Sequence, residues 1–279
     1  TSKILYSIYF GLTVVETVLL KIAGMPWYDA VIHALSSAGT GGFSNRNASV
    51  GAYGSVAIDL IVTVFILLFS VNFAVYFLLL TRKFRDILAS DELRFFLTVV
   101  AGSTLLIAWN IRGLYSSFAQ ALRYAVFQVA SIISTTGFAT ADFTLWPQLS
   151  HLILILIMFC GACAGSTGGG MKCSRILILG RSLRREIHRI VHPRSVEVVT
   201  LDGKVVEEET IHSALTFVGS YFLVILAGAL IISLDNFSFS VSFSAALTCV
   251  SNVGPGLELI GPAGNFSIFS PLSKLVMSL

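Results

Sequence analysis

The sequence predicts an all-α polytopic membrane protein built from tandem helix–short helix–helix repeats. Three observations predict it. More than half of the 279 residues are hydrophobic and only 12% are charged, against about a quarter charged in soluble domains. Apolar runs near the roughly 20 residues needed to cross a bilayer recur to the end of the chain. Finally, a glycine-centred pattern appears three times at comparable places in the chain. The recurrence of apolar runs excludes a cleaved leader on an otherwise soluble domain.

The expected spans are Ile4 to Ala23, Val56 to Leu80, Leu93 to Asn110, Leu149 to Leu179 (interrupted) and Ile211 to Leu234. Twelve of the eighteen Lys and Arg residues fall in 81–94 and 172–204, which the positive-inside rule places on the cytoplasmic side. The segments 24–55, 111–148 and 235–270 then face outward. A net charge of +3 gives no reason to expect a nucleic-acid partner, because topology accounts for the basic loops.

Around Gly42, Gly137 and Gly254 stand ALSSAGTGGFSN, VASIISTTGFAT and ALTCVSNVGPGL. Six places before each glycine is a small hydroxyl residue, Ser36, Ser131 or Thr248. Phe43, Phe138 and Pro255 follow directly. Ahead of each glycine lies an amphipathic stretch too short to cross: 28–38, 116–133 and 238–250. These read as helices that dip in from outside, with Asp29, Ser116 and Ser238 as expected N-caps. Their C-terminal ends, partially negative, would point at the glycine segments. Irregular backbone at membrane depth must face protein or a water-filled cavity. Three such hairpins about one axis therefore describe a pore lined by backbone carbonyls, which can replace the hydration shell of a monovalent cation. Glycine supplies the positive φ that turns carbonyls to one side.

The motifs TGGFSN, STTGFATADF and SNVGPGL, joined by GACAGSTGGGMK, resemble the TrkH/KtrB family of potassium uptake channels, and within it the TrkH branch. The resemblance covers essentially the whole chain. It implies a channel subunit of the bacterial inner membrane, with four helix–pore-helix–helix repeats in pseudo-fourfold symmetry, of which three are visible here. It also implies a homodimer, a cytosolic RCK-type nucleotide-binding regulatory subunit, potassium as the transported ion and no bound cofactor. Carried over by position, the filter carbonyls come from Thr40, Gly41 and Gly42, from Thr135, Thr136 and Gly137, and from Asn252, Val253 and Gly254. Glycine at all three key positions goes with potassium selectivity in the family. A closed ring needs four filters, so the chain is expected to be a fragment lacking the first repeat and the extreme C-terminal part.

The expected organisation is a repeat over 1–80 with filter 40–45, a cytoplasmic loop 81–92, and a repeat over 93–190 with filter 134–140. A cytoplasmic linker over 191–209 and a repeat over 210–279 with filter 251–256 follow. The third span is interrupted. From Pro147 to Arg181 a continuous helix would be about 50 Å long at roughly 1.5 Å per residue, too long for a bilayer. A break at 164–170 (Ala164, Gly165, Ser166, Thr167, Gly168, Gly169 and Gly170) absorbs the excess at mid-membrane. Lying just inside the filter across the ion path, it reads as a flexible gate, the role the family assigns it. Lys172, costly at that depth at about 2.5–3.5 kcal/mol, either sets a positive barrier or snorkels to the inner interface. The run is no phosphate loop, since Met171 separates Gly170 from Lys172 and Cys173 replaces the hydroxyl.

Several residues carry two readings. Asp142 and Glu258 either concentrate cations at the outer mouth or are ordinary loop charges. Glu16, deep in the first span, should find a partner on another helix or water. His33 reads as structural. Cys160 and Cys163, inside an apolar span, read as buried small hydrophobes rather than a redox pair. Alternation around Asp202-Gly203 in 196–209 signals a hairpin, which either contacts the regulatory subunit or merely connects spans. Enzymatic function lacks a constellation of titratable groups within the spans. A sodium- or potassium-coupled secondary transporter is the alternative, but inverted repeats should run in opposite senses, whereas these copies run the same way.

Overall fold

The computed structural model describes residues 2–193, 195 and 197–278. Arg194 of the basic stretch and Val196 of the hairpin segment lie outside the described residues, as do the terminal Thr1 and Leu279. Three copies of one unit follow each other in the chain. The first has α1 (Ser2–Ile22), the short α2 (Trp27–Ala38), then α3 (Val56–Ser70) and α4 (Phe73–Leu80). After α5 (Phe84–Ala89) the second has α6 (Asp91–Ile111), α7 (Phe118–Ile133), α8 (Gln148–Cys160) and α9 (Cys173–Val191). The third has α10 (Glu208–Ile232), α11 (Phe239–Ser251) and α12 (Pro271–Ser278). The same pairing recurs, with α1 against α2, α6 against α7 and α10 against α11 forming extensive interfaces.

Among the described residues, two helical stretches are long and apolar enough to cross a membrane singly, Asp91–Leu114 and Glu208–Asp235. Their outward residues are large and apolar, such as Leu105, Leu106 and Trp109 on α6 and Leu223 and Leu230 on α10, as lipid contact requires. Inward, Phe96, Ile107 and Ile111 of α6 join Ala121, Ala125 and Ile132 of α7 in one buried cluster.

Three expectations about the elements need correction. The run from Val56 to Leu80 is not one helix: α3 and α4 are bent by 93° at Val71 and Asn72. Asn72 caps α4 through its side-chain oxygen on the Ala74 N–H, at 2.9 Å. Second, α2 starts after Pro26 with no side-chain cap and α7 starts after Ser117, whose hydroxyl accepts from Gln120, so Asp29 and Ser116 are not caps. Pro26 fixes the entry φ that a cap would otherwise select. Ser238 does cap α11, accepting from Val241. Third, the interruption between α8 and α9 runs from Gly161 to Lys172, wider than 164–170.

Between α9 and α10, Thr200–Leu201 (β1) and Lys204–Val205 (β2) pair antiparallel across Asp202-Gly203. Both turn residues have positive φ, 51° and 72°, as a two-residue hairpin of the primed type demands. The hairpin is docked. The Asp91 N–H donates to the Asp202 carboxylate at 2.6 Å, the Asp202 N–H donates to Asp91 at 3.0 Å, and Arg181 bridges to Asp91 at 2.8 Å. Val199 is buried with Ile178 and Ile211 beneath it.

Candidate ion filter and intramembrane loop

α2, α7 and α11 each end at a glycine segment, and the backbone there repeats closely. Thr40, Thr135 and Asn252 have φ of 48°, 59° and 57°, and two residues on Gly42, Gly137 and Gly254 have 63°, 84° and 103°. The residue between them, Gly41, Thr136 or Val253, is not in that region. A left-handed conformation costs a β-branched residue of order 1–3 kcal/mol. Two threonines hold it at equivalent places, so surrounding structure enforces it. Alternating the sign of φ turns successive peptide planes so that their carbonyls share one side.

The enforcement is visible. The intermediate residue donates its N–H back to the carbonyl six before the glycine: Gly41 to Ser36 at 2.8 Å, Thr136 to Ser131 at 2.9 Å and Val253 to Thr248 at 2.9 Å. The hydroxyls at that offset then reach forward. Ser131 donates to the Phe138 carbonyl at 2.6 Å and Thr248 to the Pro255 carbonyl at 3.3 Å. In the second and third copies one residue thus ties its short helix to both ends of its segment. Ser36 departs from the pattern: its buried hydroxyl has no partner.

The three segments abut in chain order. A Cβ placed on Gly42 would collide with the Thr136 carbonyl, and one on Gly137 with the Val253 carbonyl. A Cβ placed on Gly254 would meet nothing within 4 Å among the described residues beyond its chain neighbours. All three segments line one cavity of about 600 Å³, on the side of Phe43, Ser44 and Pro255.

The first repeat braces this mouth. Asp29, buried in the first turn of α2, accepts from Asn45 at 2.5 Å, Tyr53 at 2.6 Å and Arg46 at 3.1 Å. His33 bonds the Ser44 hydroxyl at 3.0 Å and stacks on Phe138 at 5.5 Å, so it joins the first segment to the second in a structural role. Gly51 donates to the Ala139 carbonyl at 3.0 Å. The Tyr53 hydroxyl, with Asn45 and Arg46, holds the Asp29 carboxyl below its usual pKa. A lowered folded-state pKa contributes stability that is complete above the ordinary carboxylate range near 3.9 and is lost as pH falls through the lower value. The melting temperature of the full-length protein in detergent should therefore show an acid step below about pH 4, reduced in Asp29→Asn. An identical acid profile in the variant would remove Asp29 from the bracing.

The outer charges are not free. Asp142 folds back on Thr144, accepting from its N–H at 3.0 Å and its hydroxyl at 2.6 Å, and Glu258 accepts from Ser238 at 2.8 Å.

Beneath the three segments lies the interrupted stretch. Gly169 donates its N–H to the Thr135 hydroxyl at 2.6 Å, and the Thr40 hydroxyl donates to the Thr167 carbonyl at 3.3 Å. Gly168 and Gly169 sit so tightly against the carbonyls of Ser134 and Ser251 that neither could carry a Cβ. The loop therefore touches all three repeats at the inner end of the segments. Lys172 does not snorkel. Its ammonium turns onto the loop, donating to the carbonyls of Gly168 and Ser166, and its backbone φ is 73°. Gly165 lies against the Asn72 side chain, and Gly170 returns the loop against Gly161.

Two helix breaks satisfy each other here. Cys163 donates to the Ser70 carbonyl at 3.0 Å, and Phe73 donates to the Gly165 carbonyl at 3.4 Å. Backbone groups freed at the α3–α4 bend are thus paired by the loop, as membrane depth requires. The deep Glu16 accepts from the Ser37 hydroxyl of α2 at 2.7 Å. Cys160 and Cys163 are buried and unbridged, and the Cys160 sulfur lies 3.7 Å from that of Cys173. Sequence reasoning missed Glu92, whose carboxylate reaches the loop from α6. An acidic residue in the first turn of a helix gave no signal beyond favourable dipole placement.

Residues 1–279 match the family described as TrkH, cation transport protein. The Trk system potassium uptake protein TrkH of Salmonella typhimurium is 36% identical over 99% of this chain and 58% of its own length. The Trk system potassium uptake protein TrkG of Escherichia coli is 31% identical over 99% of this chain and 57% of its own. The crystal structure of the potassium transporter TrkH from Vibrio parahaemolyticus superposes with a TM-score of 0.90 at 32% identity, covering all of this chain and 60% of that one. The chain thus spans somewhat over half the length of the relatives it matches. The repeats and the match over the whole sequence lead to one assignment: the chain belongs to the TrkH family of cation transport proteins.

Proposed function

We propose that the full-length protein takes up potassium across the bacterial inner membrane through a ring of backbone carbonyls. Carbonyls of Thr40, Gly41 and Gly42, of Thr135, Thr136 and Gly137, and of Asn252, Val253 and Gly254 strip and replace the ion's water. The carrying observation is the triple recurrence of paired positive φ in segments that abut in chain order. Carbonyls held by helix-end hydrogen bonds offer partial charge without a titrating group, which suits a monovalent cation. The C-terminal ends of α2, α7 and α11 add negative potential at the same place. Similarity to proteins named for potassium uptake and glycine at each key position support potassium over sodium. A further copy of the segment closes the ring to four. Transport then involves no chemical step and no cofactor.

The loop at 164–170, with Lys172, is the gate. It crosses the axis just inside the filter, where the ion must pass, and Lys172 places a positive charge there. A cell lacking its own potassium uptake should grow at low potassium when given the full-length protein and should fail with Gly137→Ser; equal growth would defeat the carbonyl ring.

The working assembly is a homodimer whose cytosolic face carries an RCK-type nucleotide-binding subunit. The basic end of α9 and the docked hairpin, tied through Arg181 and Asp91 to α6, offer a rigid surface continuous with the gate helix. Deleting 196–207 should abolish capture of the regulatory subunit by the full-length protein in a pull-down while leaving the dimer seen by native mass spectrometry. Undiminished capture would assign the hairpin to connection alone.

A further inference from the structure

We infer that Glu92 is a positioning residue that clasps both ends of the intramembrane loop and holds it across the axis. This rests on the reading of the loop as the gate. Glu92 lies in the first turn of α6, is only 6% exposed, and belongs to a helix that does not flank the loop in sequence. One carboxylate oxygen accepts two backbone N–H groups, from Ala164 at 2.7 Å and from Ser174 at 3.0 Å. The first lies where the loop leaves α8, the second in the first turn of α9. Those two donors are ten residues apart in the chain and bracket the stretch that touches the filter.

The chemistry suits a clasp. Backbone N–H groups at the start of a helix have no intrahelical partner, and a carboxylate there is favoured by the helix dipole. A buried ionised acceptor bonded to two N–H groups makes stronger bonds than neutral pairs. The carboxylate is buried, so breaking the bonds leaves buried polar groups unsatisfied. The surroundings add to the hold. Asn72, at the α3–α4 bend, is a side-chain neighbour of Glu92 and caps α4, while Lys172 lies within electrostatic reach of the carboxylate. Movement of the loop off the axis must pull Ala164 or Ser174 from this oxygen. Glu92 thereby links the α3–α4 bend, the loop and the base of α9, an arrangement through which a push on the cytoplasmic end of α9 reaches the gate.

The test uses the full-length protein in liposomes without its regulator, reading rubidium influx and the permeability ratio of potassium to sodium. Glu92→Gln keeps the shape and an acceptor oxygen but loses the charge; it should raise basal influx about threefold. Glu92→Ala should raise it about tenfold, and Glu92→Asp, one methylene short of both donors, should fall between. The selectivity ratio should stay unchanged in all three, since no filter contact is touched, whereas a general loosening of the fold would lower it. A channel shortened within 166–169 is the control. If the shortened channel opens and all three variants leave influx unchanged, Glu92 is not the clasp and the gate stands. If the shortened channel also stays at basal influx, the gate reading fails and the clasp with it. Should Glu92→Ala fail to accumulate, the near-isosteric Glu92→Gln decides, and influx equal to wild type overturns the inference.

Discussion

Gly137→Ala in the full-length protein is expected to cut potassium influx at least tenfold and to bring the permeabilities of potassium and sodium together. The new methyl would be driven into the Val253 carbonyl, far inside van der Waals contact, on a backbone at φ 84° that an L side chain resists. Relief is available only by moving one of two filter segments. The Val253 carbonyl is one of the oxygens proposed to coordinate the ion, so it moves with that segment. Gly42→Ala should do the same through the Thr136 carbonyl. Substitution at Gly11 or Gly219, where an added Cβ would meet nothing within 4 Å beyond its own helix backbone and φ is ordinary, is the matched control and should leave influx near wild type. Liposome flux with potassium and sodium on opposite sides reads both quantities. Selectivity retained in Gly137→Ala would mean that its carbonyl does not line the path.

Removal of 166–169 should raise basal influx more than tenfold in the absence of the regulator, without altering selectivity. The deletion removes the Gly169 donor to Thr135 and the Thr167 acceptor for Thr40. Two hydrogen bonds at about 1 kcal/mol net each hold the loop by about 2 kcal/mol, and each 1.4 kcal/mol is a factor of ten in an equilibrium. It also removes the carbonyls on which Lys172 rests, freeing its ammonium from the loop. Unchanged influx would place the rate-limiting barrier elsewhere.

The repeat was legible because its physics is local. A short amphipathic helix, a hydroxyl at a fixed offset and a glycine that must take positive φ all leave marks within about fifteen residues. The loop was legible for a similar reason, since AGSTGGG cannot continue a helix that the span length forbids. What stayed hidden was non-local. The bend at Val71 and Asn72 falls in an apolar run with no glycine or proline; it is stable because Cys163 and Gly165, over ninety residues away, pair the backbone it frees. Glu92 looked like a helix-start acid, and only folding brings Ala164 and Ser174 to it. The unpartnered Ser36 hydroxyl breaks a pattern that its sequence shares with Ser131 and Thr248. Asp29 drew the eye as a cap because of its place before an apolar run, yet Pro26 had already set the helix start, leaving the carboxylate for the outer loop.

Anomalous diffraction from crystals of the full-length protein soaked in rubidium tests the carbonyl ring most directly. The account predicts density on the axis, level with the carbonyls of Thr135 to Gly137 and their counterparts at 40–42 and 252–254, outside the loop at 164–170. Rubidium bound only at carboxylates of the outer mouth, with none between the three segments, would contradict it.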